Sequence, residues 1–223
     1  MSRVIEVAPE RLERWLTGFA ERHGPYDATR ESTAGGVLVR AEAADGAVAV
    51  ADPFDHDPLG IVLVRRGGYA VAIAVAGRLV DAKVGARHVQ SRTAAGGWSQ
   101  QRFARRRGKQ ADELVGAVAV HARRILLRDD ESPRRGAPGQ QPPGLPYGLP
   151  YGLPHGLPCG LVVGGDRTLV REVLESPALR ALRGLPVREL FDLPDPRRDV
   201  LEAAVRRGRS YRITLTEPTP SSP

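Results

Sequence analysis

The sequence predicts an α/β fold, a mixed β-sheet flanked by helices, and three patterns predict it. Short apolar runs at 61–64, 69–75 and 78–84 are separated by tight turns, as in an antiparallel meander. A long amphipathic helix follows, starting between Ser99 and Arg102 and running to about Leu127. Beyond residue 160 strands alternate with helices, an order that makes part of a sheet parallel.

From the start of the chain, residues 9–22 carry Leu12, Trp15, Leu16 and Phe19 at spacings of three and four, one apolar helical face, with Pro9 tolerated in the first turn. Small apolar stretches across 36–51 flank Ala44-Asp45-Gly46, the turn of a hairpin. The prolines of Asp52-Pro53-Phe54-Asp55-His56-Asp57-Pro58 mark a loop. Ile61-Val62-Leu63-Val64 is a strand, Arg65-Arg66-Gly67-Gly68 turns it, Tyr69 to Val75 returns, and Arg78 to Val84 supplies the third strand. Gly85 to Gln100 reads as a basic loop. In the long helix Phe103, Ala111, Leu114, Val115, Val118, Ala122, Ile125 and Leu126 share one face, and Ser99 is a candidate N-cap. Gly108 costs about 1 kcal/mol there relative to alanine and is a candidate bend.

Residues 129–160 differ in kind. Gly-Leu-Pro-Tyr, Gly-Leu-Pro-Tyr, Gly-Leu-Pro-His and Gly-Leu-Pro-Cys repeat with period four after a Pro/Gly/Gln-rich lead. Proline at every fourth position blocks helix and removes donors, so a disordered or extended insertion is expected. Leu161-Val162-Val163 is then a strand ending in Gly164-Gly165-Asp166. A helix from Arg167 to Leu182, a strand from Val187 to Leu193, a helix from Pro196 to Arg207 and a strand from Tyr211 to Leu215 complete the chain.

Of the 223 residues 41% are hydrophobic, enough for a core, yet no stretch approaches the roughly 18–20 apolar residues of a membrane span. The start, Met1-Ser2-Arg3-Val4-Ile5-Glu6, lacks a signal peptide's apolar run, and a cytoplasmic protein without membrane contact is expected. The formal charge of +7 favours a polyanionic partner. Its distribution says more: from Ala82 to Ala111 there is no Asp or Glu, while Lys83, Arg87, Arg92, Arg102, Arg105, Arg106, Arg107 and Lys109 fall inside. Such a run is the footprint of phosphate contact.

That basic run contains Gly96-Gly97-Trp98-Ser99-Gln100-Gln101-Arg102-Phe103-Ala104-Arg105-Arg106-Arg107. Paired glycines allow an unusual backbone and close approach of another chain. Trp98 offers a flat face for a base, and the arginines match phosphate geometry. Glutamine is no general base at neutral pH, but its amide can orient a water and stabilise growing charge. A diglycine turn before a solvated basic helix has the same composition, so charge alone leaves both readings open.

The string from Arg92 to Arg105 resembles the catalytic loop of archaeal and eukaryotic class-I release factors, in which Gly-Gly-Gln is followed by Ser, two variable residues and Arg-Phe-Ala-Arg. Leu63-Val64-Arg65-Arg66-Gly67-Gly68-Tyr69 upstream and Leu161-Val162-Val163-Gly164-Gly165 downstream extend the likeness over about 60–127 and 160–215, the central domain only. Trp98 stands where those factors place the glutamine. A displaced glutamine, Gly-x-x-Gln, marks the Vms-like release-factor family of ribosome quality control, and Gly97-Trp98-Ser99-Gln100 resembles it, in the manner of its actinobacterial branch.

The resemblance implies a ribonuclease-H-like topology and a peptidyl-tRNA hydrolase acting on stalled ribosomes or large subunits. It implies Gln100 as the catalytic amide, Gln101 second, with Gly96 and Gly97 giving the loop its backbone freedom. Arg92, Trp98, Arg102, Arg105, Arg106, Arg107 and Lys109 would bind RNA, with large-subunit RNA and peptidyl-tRNA as partners of a monomer, and no cofactor or metal. It divides the chain into residues 1–50, a helix and hairpin packed on the core; 51–128 with 161–217, the catalytic domain; and the insertion at 129–160. A non-catalytic ribosome- or tRNA-binding module of the same fold is the alternative. Other constellations are weaker. Asp52, Asp55, His56 and Asp57 are too close in sequence to converge on one ion. The strands at 61–64 and 69–75 lack a nuclease's carboxylates. Gly164-Gly165-Asp166 has neither G-x-G-x-x-G nor a P-loop lysine and reads as a strand-to-helix turn. The isolated His88, His121 and His155 and the single Cys159 carry no site.

Overall fold

A computed structural model describes residues 2–86, 99–127 and 157–218, and for 99–107 the backbone alone. The α/β class is as the patterns predict, and the mixed, helix-flanked sheet is present. Beside it stands a second sheet that is wholly antiparallel.

The mixed sheet is built on β5 (Leu59–Arg65), β6 (Gly68–Val75) and β7 (Arg78–Ala86), the expected meander. On the other side of β5 lie β8 (Gly160–Gly165) and β9 (Val187–Glu189), both parallel to it. The run Leu59–Val64 is buried throughout because helices cover both faces of this sheet. Val62, Val64, Val71, Ile73, Leu161 and Val163 face α2 (Ser99–Leu126) and α3 (Arg167–Glu175). Leu59, Ile61, Leu63, Ala70, Ala72 and Val162 face α4 (Arg198–Gly208) together with Phe54 and Leu193.

The second sheet has the order β1 (Ser2–Val7), β10 (Tyr211–Thr216), β4 (Val48–Asp52), β3 (Gly36–Ala43), β2 (Tyr26–Thr33). A single 3-10 turn, Pro9–Arg11, leads into α1 (Leu12–His23), whose Leu12, Leu16 and Phe19 pack on Val39, Ala41, Ala49, Ala51, Ile213 and Leu215. The alanine floor of β3 and β4 leaves room for Phe19, which is fully buried between Trp15 and Tyr26. The division expected at residue 50 does not coincide with the division into sheets. β4 crosses it, and β10, from the C-terminal part of the chain, lies between β1 and β4.

Several bounds differ from the sequence patterns. The helix expected over 167–182 breaks at Ser176, whose extended ψ of 133 is what a following proline favours, and Pro177–Leu182 continues as 3-10. The strand expected over 187–193 ends at Glu189. Leu190 and Leu193 turn inward instead, joined by a hydrogen bond from Leu193 N to Leu190 O. Pro196 precedes α4 rather than opening it. β8 begins at Gly160, and Cys159 N donates to Pro58 O, so the last residues expected in the insertion belong to the fold. The rest of that insertion, 129–156, lies outside the described residues. α2 runs unbroken through Gly108.

Candidate functional site

β5 and β6 are joined by a turn at Arg66 and Gly67, and β7 ends beside it, Ala86 pairing with Gly68. Residues 87–98 connect this end of the sheet to α2, so Arg92, Gly96, Gly97 and Trp98 lie outside the described residues. The helix starts at Ser99, which puts Gln100 and Gln101 in its first turn and the backbone of Arg102, Arg105, Arg106 and Arg107 in the next two. Amide groups of a first turn have no intrahelical acceptor and favour an anion. Among these positions only Lys109 has a described side chain, and it is exposed.

The direction of α2 follows from its contacts. Leu126 packs at Gly60, near the start of β5, while His121 stacks on Tyr69, beside the β5–β6 turn. The helix therefore descends from the turn end of the sheet to the opposite end. Among α2 residues with described side chains, those packed on the core are Ala111, Leu114, Val115, Val118, Ala119, Ala122, Ile125 and Leu126. At 1.5 Å per residue the backbone of Gln100 stands about 16 Å along the axis before Ala111. The basic half thus leads away from the core on the side of Arg66.

Helical periodicity of 100° per residue separates the positions. Positions 100, 103, 104 and 107 continue the line of Ala111 and Leu114, which face the sheet. Positions 102, 105, 106 and 109 lie on the opposite side, a stripe spanning about 10 Å. Position 101 is turned 100° from position 100.

The surroundings of the turn add charge. Arg66 is 71% exposed, with its Nε 3.9 Å from Asp166. Arg65 is committed inward: Nη2 donates to Leu193 O at 2.5 Å and Nε lies 3.8 Å from Asp195. Gly164, Gly165 and Asp166 form the expected strand-to-helix turn. Gly165 has φ +101, and a side chain there would overlap the Val64 carbonyl. Asp166 caps α3, accepting from Thr168 N at 3.0 Å and Leu169 N at 3.3 Å.

The 52–57 carboxylates and His56 are engaged separately. Asp57 accepts from Ala76 N at 2.9 Å, and Asp55 lies 3.9 Å from Arg209. His56 is buried against Phe54, and burial holds its pKa below the usual imidazole value. Among the described residues no group of three His, Cys, Asp or Glu side chains is arranged to hold a metal. Sequence reasoning passed over Tyr69 and His121 as site neighbours. The ring contact joins residues 52 positions apart, and neither periodicity nor composition marks it.

A family model described as the Actinobacteria/chloroflexi VLRF1 release factor matches residues 57–214, well over half of the chain. That span begins in the loop after β4 and takes in the β5–β6 turn, the 87–98 connection, all of α2 and most of β10. A search of curated proteins gives no match.

Proposed function

Because the chain belongs to the Actinobacteria/chloroflexi VLRF1 release-factor family, we propose that it cleaves the nascent peptide from tRNA on stalled ribosomes or large subunits, without reading a codon. The carrying observation is that the matched span includes Gly97-Trp98-Ser99-Gln100 and the helix on which that glutamine sits. Membership in a release-factor family implies a role in translation and contact with the ribosome. The substrate and the residue roles are the finer reading.

In that reading the Gln100 amide accepts a hydrogen bond from a water and sets it against the ester carbonyl. Water oxygen bonds to the carbonyl carbon, the bond to the ribose oxygen of the terminal adenosine breaks, and that oxygen takes up a proton as the peptide leaves as a carboxylic acid. Backbone N–H groups of the first turn of α2 stabilise the oxyanion. Gly96 and Gly97 let the loop enter a narrow RNA cavity, Trp98 stacks on a base, and Gln101 is the second candidate amide. Arg102, Arg105, Arg106 and Lys109, spaced on one side of α2, grip a phosphate backbone, with Arg92 and Arg107 flanking. Residues 51–128 and 161–217 carry the catalytic domain, with the strand at 211–216 also completing the sheet to which 1–50 contribute, and the insertion lies within 129–156. The protein works as a cytoplasmic monomer. No helix among the described residues is long and apolar enough to cross a membrane.

The test is release of labelled peptide from a stalled large-subunit complex. Wild type releases it, and Gln100→Ala slows the step by about 10²–10³, the scale on which loss of one preorganised hydrogen-bonding group at the reacting centre acts. Full activity in Gln100→Ala moves the role to Gln101 or the backbone. Tight binding without release by wild type makes the protein a non-catalytic ribosome-binding module.

A further inference from the structure

Tyr69 is the second residue of β6, beside the β5–β6 turn, and its ring is buried. Two neighbours hold that ring. One face lies on His121 of α2, with centroids 5.5 Å apart and planes 18° from parallel. The ring also fills the space over Gly85, its register partner in β7, so closely that a methyl group there would overlap it. Gly85 is the penultimate residue of the strand that leads into 87–98, and His121 belongs to the helix that leads out. One aromatic ring thus touches both elements from which the candidate loop is suspended.

The stack is the directional part of this contact. Leu114, Val118 and Ala122 hold α2 on the sheet by apolar burial, which is non-directional. His121 Nδ1 is buried with no hydrogen-bond partner, so no polar bond at that atom fixes the ring. Burial first, then Lys83 and Arg124, disfavours the charged imidazole, and a neutral ring lies flat on the phenol without a counter-ion. A small rotation of α2 would be magnified by its length. From His121 to Gln100 is about 32 Å along the axis, so a swing of about 10° displaces the first turn by about 5 Å. A misplacement of about 1 Å is already enough to cost on the order of 10²-fold in rate.

We propose that Tyr69 is a positioning residue that locks the angle of α2 against β6 and β7 and so fixes where the Gln100 turn is presented, its catalytic consequence resting on the hydrolase function proposed above. Spin labels at the exposed positions of Lys109→Cys and Arg78→Cys, in a Cys159→Ser background, report that angle in the free protein, and release is measured on unlabelled chains that keep Lys109 and Arg78. Wild type and Tyr69→Phe, which keeps the ring, give the same narrow distance distribution. Tyr69→Leu shifts or broadens it and slows peptide release at saturating complex by at least about 10-fold, with binding retained. His121→Ala removes the same stack from the helix side and gives the same change should Tyr69→Leu fail to fold. An unaltered distance distribution in the folded variants overturns the proposal, as does an unaltered release rate where wild type is active. If wild type releases no peptide, the hydrolase function fails by itself, and the distances alone still decide whether Tyr69 sets the helix.

Discussion

At the scale of single residues, buried charge and buried imidazole make the sharpest claims. Arg188 of β9 is almost fully buried, lies over the Phe54 ring, and donates to Ser210 O at 2.6 Å and Pro53 O at 3.3 Å. It ties the edge of the mixed sheet to the two connections, β4–β5 and α4–β10, that pass to the other sheet. Burial, and then Arg212, lowers its pKa to about 10, so it stays charged at neutral pH. Arg188→Met keeps the bulk and strands both carbonyls. Urea unfolding should show a loss of about 2–3 kcal/mol, the scale of hydrogen bonds to a charged group. His56 and His121 both have pKa values held below 6.5, in each case first by burial. The unfolded chain therefore binds more protons than the native one as pH falls below about 6.5, and stability drops in that direction. Thermal melts between about pH 7.5 and 5 should show this decline. His121→Phe, which keeps a ring on Tyr69, should flatten part of it, and an unchanged profile would show that His121 does not carry the effect. Neither histidine could be assigned from sequence. The same residue type occurs in the basic segment and the repeat, and only the fold says that His56 is buried and His121 half-buried.

At the scale of elements, apolar period was legible wherever one face meets a core. The meander, α1, α2 and α4 lie where the spacing of their apolar residues puts them, because Leu12, Leu16 and Phe19, or Leu114, Val118 and Ile125, have a single surface to cover. β1 and β2 escaped because they are sheet edges. Val4 is 64% exposed, β1 turns only Ile5 and Val7 inward, and β2 buries none of its side chains fully, so neither strand carries a stripe long enough to read. α3 shows the local signals at work. Asp166 starts it and Pro177 stops its α-helical geometry within nine residues. Asp166→Ala should cost about 1 kcal/mol through loss of the two capping bonds. It also frees Arg66 from its carboxylate neighbour. Equal stability of variant and parent in chemical denaturation would show that the cap is redundant. In the candidate site, Gln100 and Gln101 were legible through the string around them, not through composition, which equally fits a solvated basic face. What the fold adds is the direction of α2, whose basic half leaves the sheet at the end beside Tyr69.

For the whole molecule, sequence patterns identified the helix-flanked mixed sheet but not its neighbour. Alternation along Tyr211–Thr216 marks Ile213 and Leu215 as inward-facing, yet it cannot say that their partners lie on β4 and β1, more than 150 residues earlier. Glu6 and Asp192 both bind Arg207, so the N-terminal strand is also tied by charge to α4. Removing 211–218 should therefore unfold the antiparallel sheet and release α1, not trim a frayed end. Loss of protection from hydrogen exchange at Val39, Ala41, Ala49 and Ala51 would register it, and retained protection there would refute it. The position of β10 also has a temporal meaning. Of the elements described here it is the last to be translated, and the sheet lacks a middle strand until it arrives. A copy of this protein cut short during its own synthesis would emerge with β1 separated from β4 and the aromatic cluster around Phe19 uncovered. Interrupted translation would then yield a molecule whose antiparallel sheet cannot close.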